Sequence, residues 1–214
     1  MPITTLFFDL DNTLYPSDNG IWAAIGNRMN IFLREELNLP PEEISSLRRE
    51  YYEKYGTTLK GLQKNHAVDP DLFLDFVHDL PIEDMIKPDP GLRAMLVNLP
   101  LQKLIFTNSN IEHADRILTS LHLDDCFDKI IDIRALNFHC KPDPKAYRLA
   151  LELASEREPE NCIFLDDTPR NLKPAFDLGY YTILVGTTEP NPVAYHSLKR
   201  PHDLQYVMPN LWQQ

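Results

Sequence analysis

The chain has 214 residues, of which 43% are hydrophobic and 25% are charged, and its formal net charge is −11 at pH 7. A chain of this length buries roughly 70% of its unfolded surface, which is enough for a core without metal or disulfide staples. Its average composition excludes intrinsic disorder. The acidic balance argues against DNA, RNA or an anionic membrane as main partner, because polyanions bind basic surfaces. It does not exclude a small phosphorylated substrate, since one local cation can override the global charge.

The cysteines and the N-terminus indicate a cellular compartment. The chain has 3 widely spaced cysteines and no Cys-x-x-Cys pair. This pattern favours free thiols in a reducing compartment over a zinc site or a disulfide framework. No basic region precedes Asp9, and no apolar run reaches the length of about 18 residues that a membrane span needs. We therefore expect a soluble, cytoplasmic protein; the sequence does not predict its oligomeric state.

Three short apolar runs, at 3–8, 103–106 and 162–165, each end directly before polar residues. Their length and their content of Ile, Leu and Phe predict strands buried on both faces, as in parallel sheets. A further strand is predicted over 181–185.

Helical patterns separate these strands, and we predict helices over 111–121, 144–154 and 172–178. Gly179 can end the last of them in the left-handed conformation. Alternating strands and helices predict an α/β fold with a doubly wound parallel sheet. The tail from 193 onward is predicted as a turn followed by a short helix near 203–208.

Residues 17–86 break this alternation. They show no strand pattern, and prolines separate three helical stripes of apolar residues, the third of which includes Leu72, Leu74, Phe76 and Val77. We predict an all-helical insertion at 17–86, and a core domain made of residues 1–16 and 87–214.

Ligands of doubly wound sheets bind outside the carboxyl ends of the strands. The polar residues expected to converge there are Asp9, Asp11, Thr107, Asn108, Asp166 and Asp167. Any one of them is explained equally well as a cap for the next helix. Three coincident strand ends make that explanation weaker.

Four acids in one place need a cation. Asp9 and Asp11 are two positions apart, so on an extended segment they point the same way, and carboxylates about 4 Å apart repel by roughly 4 kcal/mol at an effective dielectric of about 20. Hard oxygen ligands without His or Cys select Mg²⁺. Lys141, just before a predicted helix, is the candidate basic residue; its alternative interpretation is a solvated lysine at a helix start.

These segments resemble a known family. In chain order, 7–14 (Phe-Phe-Asp-Leu-Asp-Asn-Thr-Leu), 105–109 (Ile-Phe-Thr-Asn-Ser), 141–142 (Lys-Pro) and 164–167 (Phe-Leu-Asp-Asp) are similar to the four motifs of the haloacid dehalogenase (HAD) superfamily. The resemblance implies a Rossmann-like core and catalysis through an aspartyl-phosphate intermediate.

The resemblance also implies residue roles. Asp9 would be the nucleophile on phosphorus, and Asp11 the acid that protonates the leaving oxygen and then the base that activates water. Thr107 and Asn108 would hold the phosphoryl oxygens, and Lys141 would neutralise charge. Dehalogenases of this superfamily lack an acid at the position of Asp11, because a halide needs no proton, so its presence favours phosphoryl chemistry.

The same resemblance implies a magnesium site. Its ligands would be Asp9, the backbone carbonyl of Asp11 and Asp167, with Asp166 as an auxiliary ligand. Asn171 stands where many superfamily members have Asp, and we assign it no metal role.

A closer resemblance covers nearly the full chain. Similarity to pyrimidine 5′-nucleotidase-like phosphatases of fungi, plants and bacteria, which carry a small helical cap after the first strand, is found at residues 50–62, 80–81, 87–90, 92, 140–142 and 208–212. It implies hydrolysis of nucleoside 5′-monophosphates, with pyrimidines preferred. The alternatives are a phosphatase for another small metabolite, such as a sugar phosphate or phosphoglycolate, and a non-catalytic phosphate-binding relative.

Substrate selection is predicted in the insertion. In residues 55–61, Thr57, Thr58 and Lys60 lie between two glycines, which would let the backbone approach a ligand. The alternative is a plain turn between two helices. The isolated histidines are interpreted as surface or capping residues: His66, His113 and His139.

Overall fold

A computed structural model describes residues 2–213, and within them six strands form one parallel sheet. The strands are β1 (Thr5–Phe8), β2 (Gln102–Phe106), β3 (Lys129–Ile131), β4 (Cys162–Asp166), β5 (Tyr181–Val185) and β6 (His196–Leu198). Their order across the sheet is β3-β2-β1-β4-β5-β6, and each neighbouring pair is parallel. The chain therefore builds outward from β1 first on one side and then on the other, which confirms the predicted doubly wound, Rossmann-like sheet.

Helices make up the rest of the regular structure. The α-helices are α1 (Ile21–Glu36), α2 (Pro41–Tyr55), α3 (Thr58–Asn65), α4 (Pro70–His78), α5 (Pro90–Asn98), α6 (Ile111–Ser120), α7 (Pro144–Ala154), α8 (Pro169–Leu178) and α9 (Leu204–Val207). Short 3₁₀ helices lie at Ser17–Asn19, Ile82–Asp84, Pro159–Asn161, Pro201–Asp203 and Pro209–Trp212. Gly179 ends α8 with φ of 101°, a left-handed conformation that glycine adopts without strain.

The core of the sheet explains why β1 and β4 lie at its centre. All four residues of β1 and all five of β4 are buried. Phe7 and Phe164 pack with aromatic side chains of β2 and α7 in one apolar cluster. Central strands of a parallel sheet are covered on both faces, so an uninterrupted apolar run fits there. The polar residues that follow these strands thus lie at the end of two fully buried strands.

The chain divides into two compact units. One takes in the chain up to Asp18 and from Ile86 onward, and the other is Asn19–Met85, whose regular structure is entirely helical within the described residues. In this helical unit Phe32 packs edge to face on Phe73, which joins α1 to α4. Leu74 and Val77 of the third predicted stripe are buried, but Leu72 is exposed and its neighbour Phe73 is buried, so the stripe was wrong at that position. The assignment of the unit as a cap stays a prediction.

Two strands were missed by the sequence analysis. β3 and β6 have three residues each, and neither is fully buried. Three residues are too few to show a periodic pattern, and β6 falls in the tail that was predicted as a turn. In the described part of the chain, no helix is both long enough and apolar enough to cross a bilayer.

Candidate active site

Asp9 follows β1 directly and lies at the carboxyl edge of the sheet. Phe8 is paired with Ile105 of β2 and with Leu165 of β4, and the Asp9 backbone N–H donates to the Leu165 carbonyl at 2.9 Å. The residues that follow β2 and β4 therefore emerge beside Asp9. This register is what brings motifs distant in sequence together.

Lys141 forms the electrostatic centre of the site. Its Nζ lies 2.6 Å from Asp9 Oδ1 and 2.9 Å from Asp166 Oδ2, and it donates to the Phe106 carbonyl at 2.8 Å. The side chain is only 1% exposed. Burial alone would lower the pKa of Lys141, but the charges of Asp166 and Asp9 raise it above its usual value. The interpretation as a solvated lysine is therefore wrong: this is a buried ammonium ion held by carboxylates.

Three carboxylates, those of Asp9, Asp166 and Asp167, form an acidic cluster. Each offers one oxygen, and these oxygens all lie within 4.8 Å of one another. Burial raises the pKa of Asp9 well above its usual range; Lys141 opposes this, while Asp166 and Asp167 add to it. Burial and then the charge of Asp166 raise the pKa of Asp167 to about 6. One lysine is thus too little positive charge for three acids, and the cluster favours gain of a proton or a cation.

Both carboxylate oxygens of Asp166 accept hydrogen bonds from protein groups. Asn171 Nδ2 lies 3.1 Å from both Oδ1 and Oδ2, and the Thr168 backbone N–H donates to Oδ1 at 2.8 Å. With Lys141 on Oδ2 as well, this carboxylate orients neighbouring groups. Asn171, to which the sequence assigned no metal role, is one of its donors. A direct bond from Asp166 to metal stays a prediction.

Thr107 and Asn108 follow β2, and their side chains have different hydrogen-bond partners. Thr107 is buried, and its Oγ1 accepts from the Ser109 backbone N–H at 3.0 Å. The Asn108 side chain pairs with the backbone of Lys141, accepting from its N–H at 2.8 Å and donating to its carbonyl at 3.1 Å. The Asn108 amide thus holds the Lys141 segment against the end of β2.

Asp11 is not one of the three acids of that cluster, and it has hydrogen-bond partners of its own. Tyr15 Oη donates to Asp11 Oδ1 at 2.5 Å, Ser109 Oγ donates to Oδ2 at 2.9 Å, and His113 Nε2 lies 2.8 Å from Oδ1. We call Asp11, Tyr15, Ser109 and His113 the Asp11 cluster. β1 ends at Phe8 and residues 11–13 form a turn, so the two acids do not share the orientation that an extended segment predicts.

His113 corrects the sequence analysis. It was interpreted as a surface or capping histidine, yet it is fully buried and contacts a candidate catalytic carboxylate. The pattern that identifies it is helical: buried residues of α6 are His113, Ala114, Ile117 and Leu118. A histidine on the apolar face of a helix that starts at a strand end faces the site.

The three candidates in the helical unit have local roles. Thr57 is the N-cap of α3 and its Oγ1 accepts from the Lys60 backbone N–H at 3.1 Å, while Thr58 is buried. A Cβ at Gly61 would lie 2.2 Å from the Tyr51 ring, so this glycine serves close packing of α3 on α2. At Gly61 the close approach is made by the Tyr51 ring. Contact of these three residues with substrate stays a prediction.

Sequence comparisons agree with this geometry. The profile of the haloacid dehalogenase-like hydrolase family matches residues 3–179. The chain is 35% identical over 187 residues to phosphate metabolism protein 8 of Saccharomyces cerevisiae. That match takes in 81% of this chain and 58% of the yeast protein, so the chain spans little more than half of this relative.

Structural comparisons show the same fold. The HAD phosphatase of Thermococcus onnurineus matches with a TM-score of 0.65 at 17% identity, over 96% of this chain and 98% of that one. L-2-haloacid dehalogenase of Xanthobacter autotrophicus matches with a TM-score of 0.63 at 17% identity, over 97% and 98%. Such low identity shows the fold alone, and it does not separate phosphatase from dehalogenase. With the family profile over most of its length, the chain belongs to the haloacid dehalogenase-like hydrolases.

Proposed function

We propose that this hydrolase cleaves phosphate monoesters through a phosphoaspartate on Asp9. A carboxylate oxygen of Asp9 attacks phosphorus while the bond from phosphorus to the ester oxygen breaks, and Asp11 gives that oxygen its proton. Asp11 then takes a proton from water, which attacks the phosphorus and releases phosphate and Asp9. The observation that supports this best is the pairing of Asp9, beside a buried ammonium ion, with a second carboxyl group two residues away.

The surrounding residues supply charge and position. Lys141 balances negative charge at Asp9 and at the transferring phosphoryl group. Thr13 Oγ1 donates to Asp9 Oδ2 at 3.0 Å, which together with Lys141 on Oδ1 fixes the carboxylate at both oxygens. Thr107, with its hydroxyl, and Asn108, with its backbone N–H because its amide is engaged with Lys141, are proposed to hold phosphoryl oxygens.

The acidic cluster fits magnesium. Its donors are hard carboxylate oxygens, and burial together with the neighbouring acids raises the pKa values of Asp9 and Asp167, which a bound cation would offset. Asp9, Asp167 and the backbone carbonyl of Asp11 would hold the ion, with Asp166 in the auxiliary role. When bound, magnesium supplies positive charge that draws a phosphate dianion to Asp9 and neutralises it during transfer.

The presence of Asp11 favours a phosphatase over a dehalogenase. Both chemistries use an aspartate nucleophile, but an ester oxygen leaves poorly without a proton, whereas a halide needs none. Asp11 supplies a carboxyl group for this purpose, and the structure gives it hydrogen-bonding partners.

For the substrate, we propose nucleoside 5′-monophosphates, with pyrimidines preferred. Support comes from the resemblance of the insertion to pyrimidine 5′-nucleotidase-like phosphatases and from a relative named for phosphate metabolism. Thr57, Thr58 and Lys60 are the proposed selecting residues. The three free, buried cysteines fit the proposed cytoplasmic location.

One screen tests the proposal. Phosphate release is measured with magnesium over nucleoside monophosphates, sugar phosphates and phosphoglycolate, and halide release over 2-haloacids, for the wild type and for Asp9→Asn. We expect phosphate release that Asp9→Asn abolishes, with pyrimidine nucleotides highest. Halide release without phosphate release would overturn the phosphatase, and a sugar phosphate ranked first would overturn only the substrate.

A further inference from the structure

The partners of Asp11 come from three separate segments. Tyr15 belongs to the loop after β1, Ser109 to the segment after β2, and His113 to the first turn of α6. Asp11 and His113 are 102 positions apart, and Asp11 and Ser109 are 98. Because two of these partners lie about 100 positions away, the Asp11 side chain is oriented by remote segments as well as by its own loop.

The side chains of the Asp11 cluster differ in their exposure to solvent. The His113 side chain is 0% exposed, and Tyr15 and Ser109 are buried, while the Asp11 side chain keeps 10% of its surface accessible. The partners thus hold the carboxyl group from the inside. The accessible part of Asp11 is the part that a leaving group or a water molecule can meet.

The hydroxyl partners also suit a group that exchanges protons. The Tyr15 phenol is buried and donates to Asp11 Oδ1 at 2.5 Å, and a phenol is a neutral hydrogen-bond donor at ordinary pH. The Ser109 hydroxyl is a neutral donor as well. A neutral donor can bond to the carboxylate and equally to the carbonyl oxygen of the protonated acid. Asp9 differs, since the partner of its Oδ1 is the charged Lys141.

We infer that Tyr15, Ser109 and His113 are positioning residues that hold the Asp11 carboxyl group in one orientation for proton transfer. This inference rests on the proposed function, because it assigns the three residues to the acid and base steps of that reaction. An unheld aspartate turns about two side-chain bonds, and restricting it to the productive orientation lowers the entropic barrier to reaction.

Tyr15→Phe is the decisive variant, because it removes one hydroxyl and keeps the ring. Tyr180→Phe is its matched control: Tyr180 is also buried and its hydroxyl donates to the Tyr147 carbonyl at 3.0 Å, which belongs to no part of the proposed machinery. Both variants lose one buried hydrogen bond. Melting temperatures show whether each is folded before its kinetics are compared.

The readout is the dependence of kcat/KM on the leaving group in a series of p-nitrophenyl, phenyl and p-methoxyphenyl phosphates. This parameter covers transfer to Asp9, where a basic leaving group needs the proton and p-nitrophenolate barely does. We expect Tyr15→Phe to lose about 10-fold with p-methoxyphenyl phosphate and less than about 2-fold with p-nitrophenyl phosphate. Tyr180→Phe lowers all three alike or leaves them unchanged.

Two further variants separate positioning from packing. In an Asp11→Asn background, Tyr15→Phe should cause no further change in the leaving-group dependence. The reason is that the amide at position 11 cannot act as the general acid that Tyr15 is inferred to position. His113→Leu should steepen that dependence, and His113→Gln, which keeps an N–H near the position of Nε2, should restore part of it. If His113→Leu does not fold, Tyr15→Phe still decides.

The outcomes distinguish this inference from the function it rests on. Asp11→Asn alone should lose about 10²- to 10⁴-fold on basic leaving groups. If Asp11→Asn leaves the dependence flat, the proposed acid is wrong and the inference fails with it. If Asp11→Asn steepens it while Tyr15→Phe and a folded His113→Leu match the wild type, the positioning inference is wrong and the function stands.

Discussion

The candidate active site at the carboxyl ends of β1, β2 and β4, here called the strand-end site, differs from the loop at residues 55–61. The difference is the sequence separation between the residues that contact one another. Lys141 reaches Asp9 across 132 positions, whereas Thr57 caps a backbone N–H three positions away. Contacts between remote segments are costly to arrange, because each one closes a long loop. A buried ion pair that joins remote segments, such as Lys141 with Asp9, is therefore a candidate for chemistry, while a polar group that caps a neighbouring N–H is explained by helix formation. On this comparison we propose the strand-end site for the reaction, and the loop must be shown by experiment to do more than cap α3.

The largest expected effect is the loss of phosphate release from every substrate when Asp9 is replaced. We expect Asp9→Asn to fold normally and to lose phosphate release by about 10⁴-fold or more, as when other nucleophiles are removed, because an amide does not attack phosphorus. Phosphate release and a melting curve are measured on the same sample, and mass spectrometry excludes deamidation back to Asp. Near-normal turnover in a sample free of Asp9 would contradict the mechanism.

Removal of metal is expected to have an effect of similar breadth. Three acids with one lysine cannot hold a dianionic phosphate, so exhaustive chelation should reduce phosphate release to background and magnesium should restore it. Calcium should inhibit, since its larger and looser coordination lets Asp9 bind through both oxygens and spoils its attack. Full activity of a chelated protein that metal analysis shows to be metal-free would contradict the magnesium proposal.

A smaller effect is expected from pH. Below about pH 6, Asp167 is protonated in the metal-free protein, so magnesium must displace a proton to bind. Magnesium affinity should therefore rise about tenfold per pH unit up to pH 6, more steeply where Asp9 also loses a proton. Calorimetric titrations with magnesium between pH 5 and 8 measure this. Asp167→Asn is the control: it should bind more weakly and lose the step near pH 6. An affinity that is constant from pH 5 to 7 would count against Asp167 as a ligand.

The smallest effect is expected from the loop. Alanine at Thr57, Thr58 and Lys60 should change the ranking among nucleoside monophosphates by about 10-fold in kcat/KM, while p-nitrophenyl phosphate stays within about 3-fold. Lys64→Ala, which removes an exposed lysine from the same helix, is the matched control for charge. Thr57→Ser keeps the capping hydroxyl, whose loss costs about 1 kcal/mol of stability. If all substrates fall together, the triple variant has only weakened α3, and the loop is not the selector.

The sequence was most informative where one face or both faces of an element are buried over several residues. β5 and α7 have the predicted bounds. An uninterrupted apolar run defines β5, and a proline after a capping aspartate defines the start of α7. It was least informative for β3 and β6, which are held as strands by pairing and not by composition. Side-chain partners across segments, such as Asp11 with His113, follow from the register of the sheet, and no local pattern contains that register.

The position of β1 in the sheet has a consequence for biosynthesis. β1 is made first, but its partners β2 and β4 are made about 100 and 160 residues later, after the whole helical unit. Until then the nascent chain carries an apolar strand with two open edges, and open edges of this kind promote aggregation. The helical unit, whose contacts are closer in sequence, is expected to fold earlier. Nascent chains that stop before Asp166 contain Asp9 without its acidic partners, so the proposed hydrolysis is expected only after synthesis has passed β4.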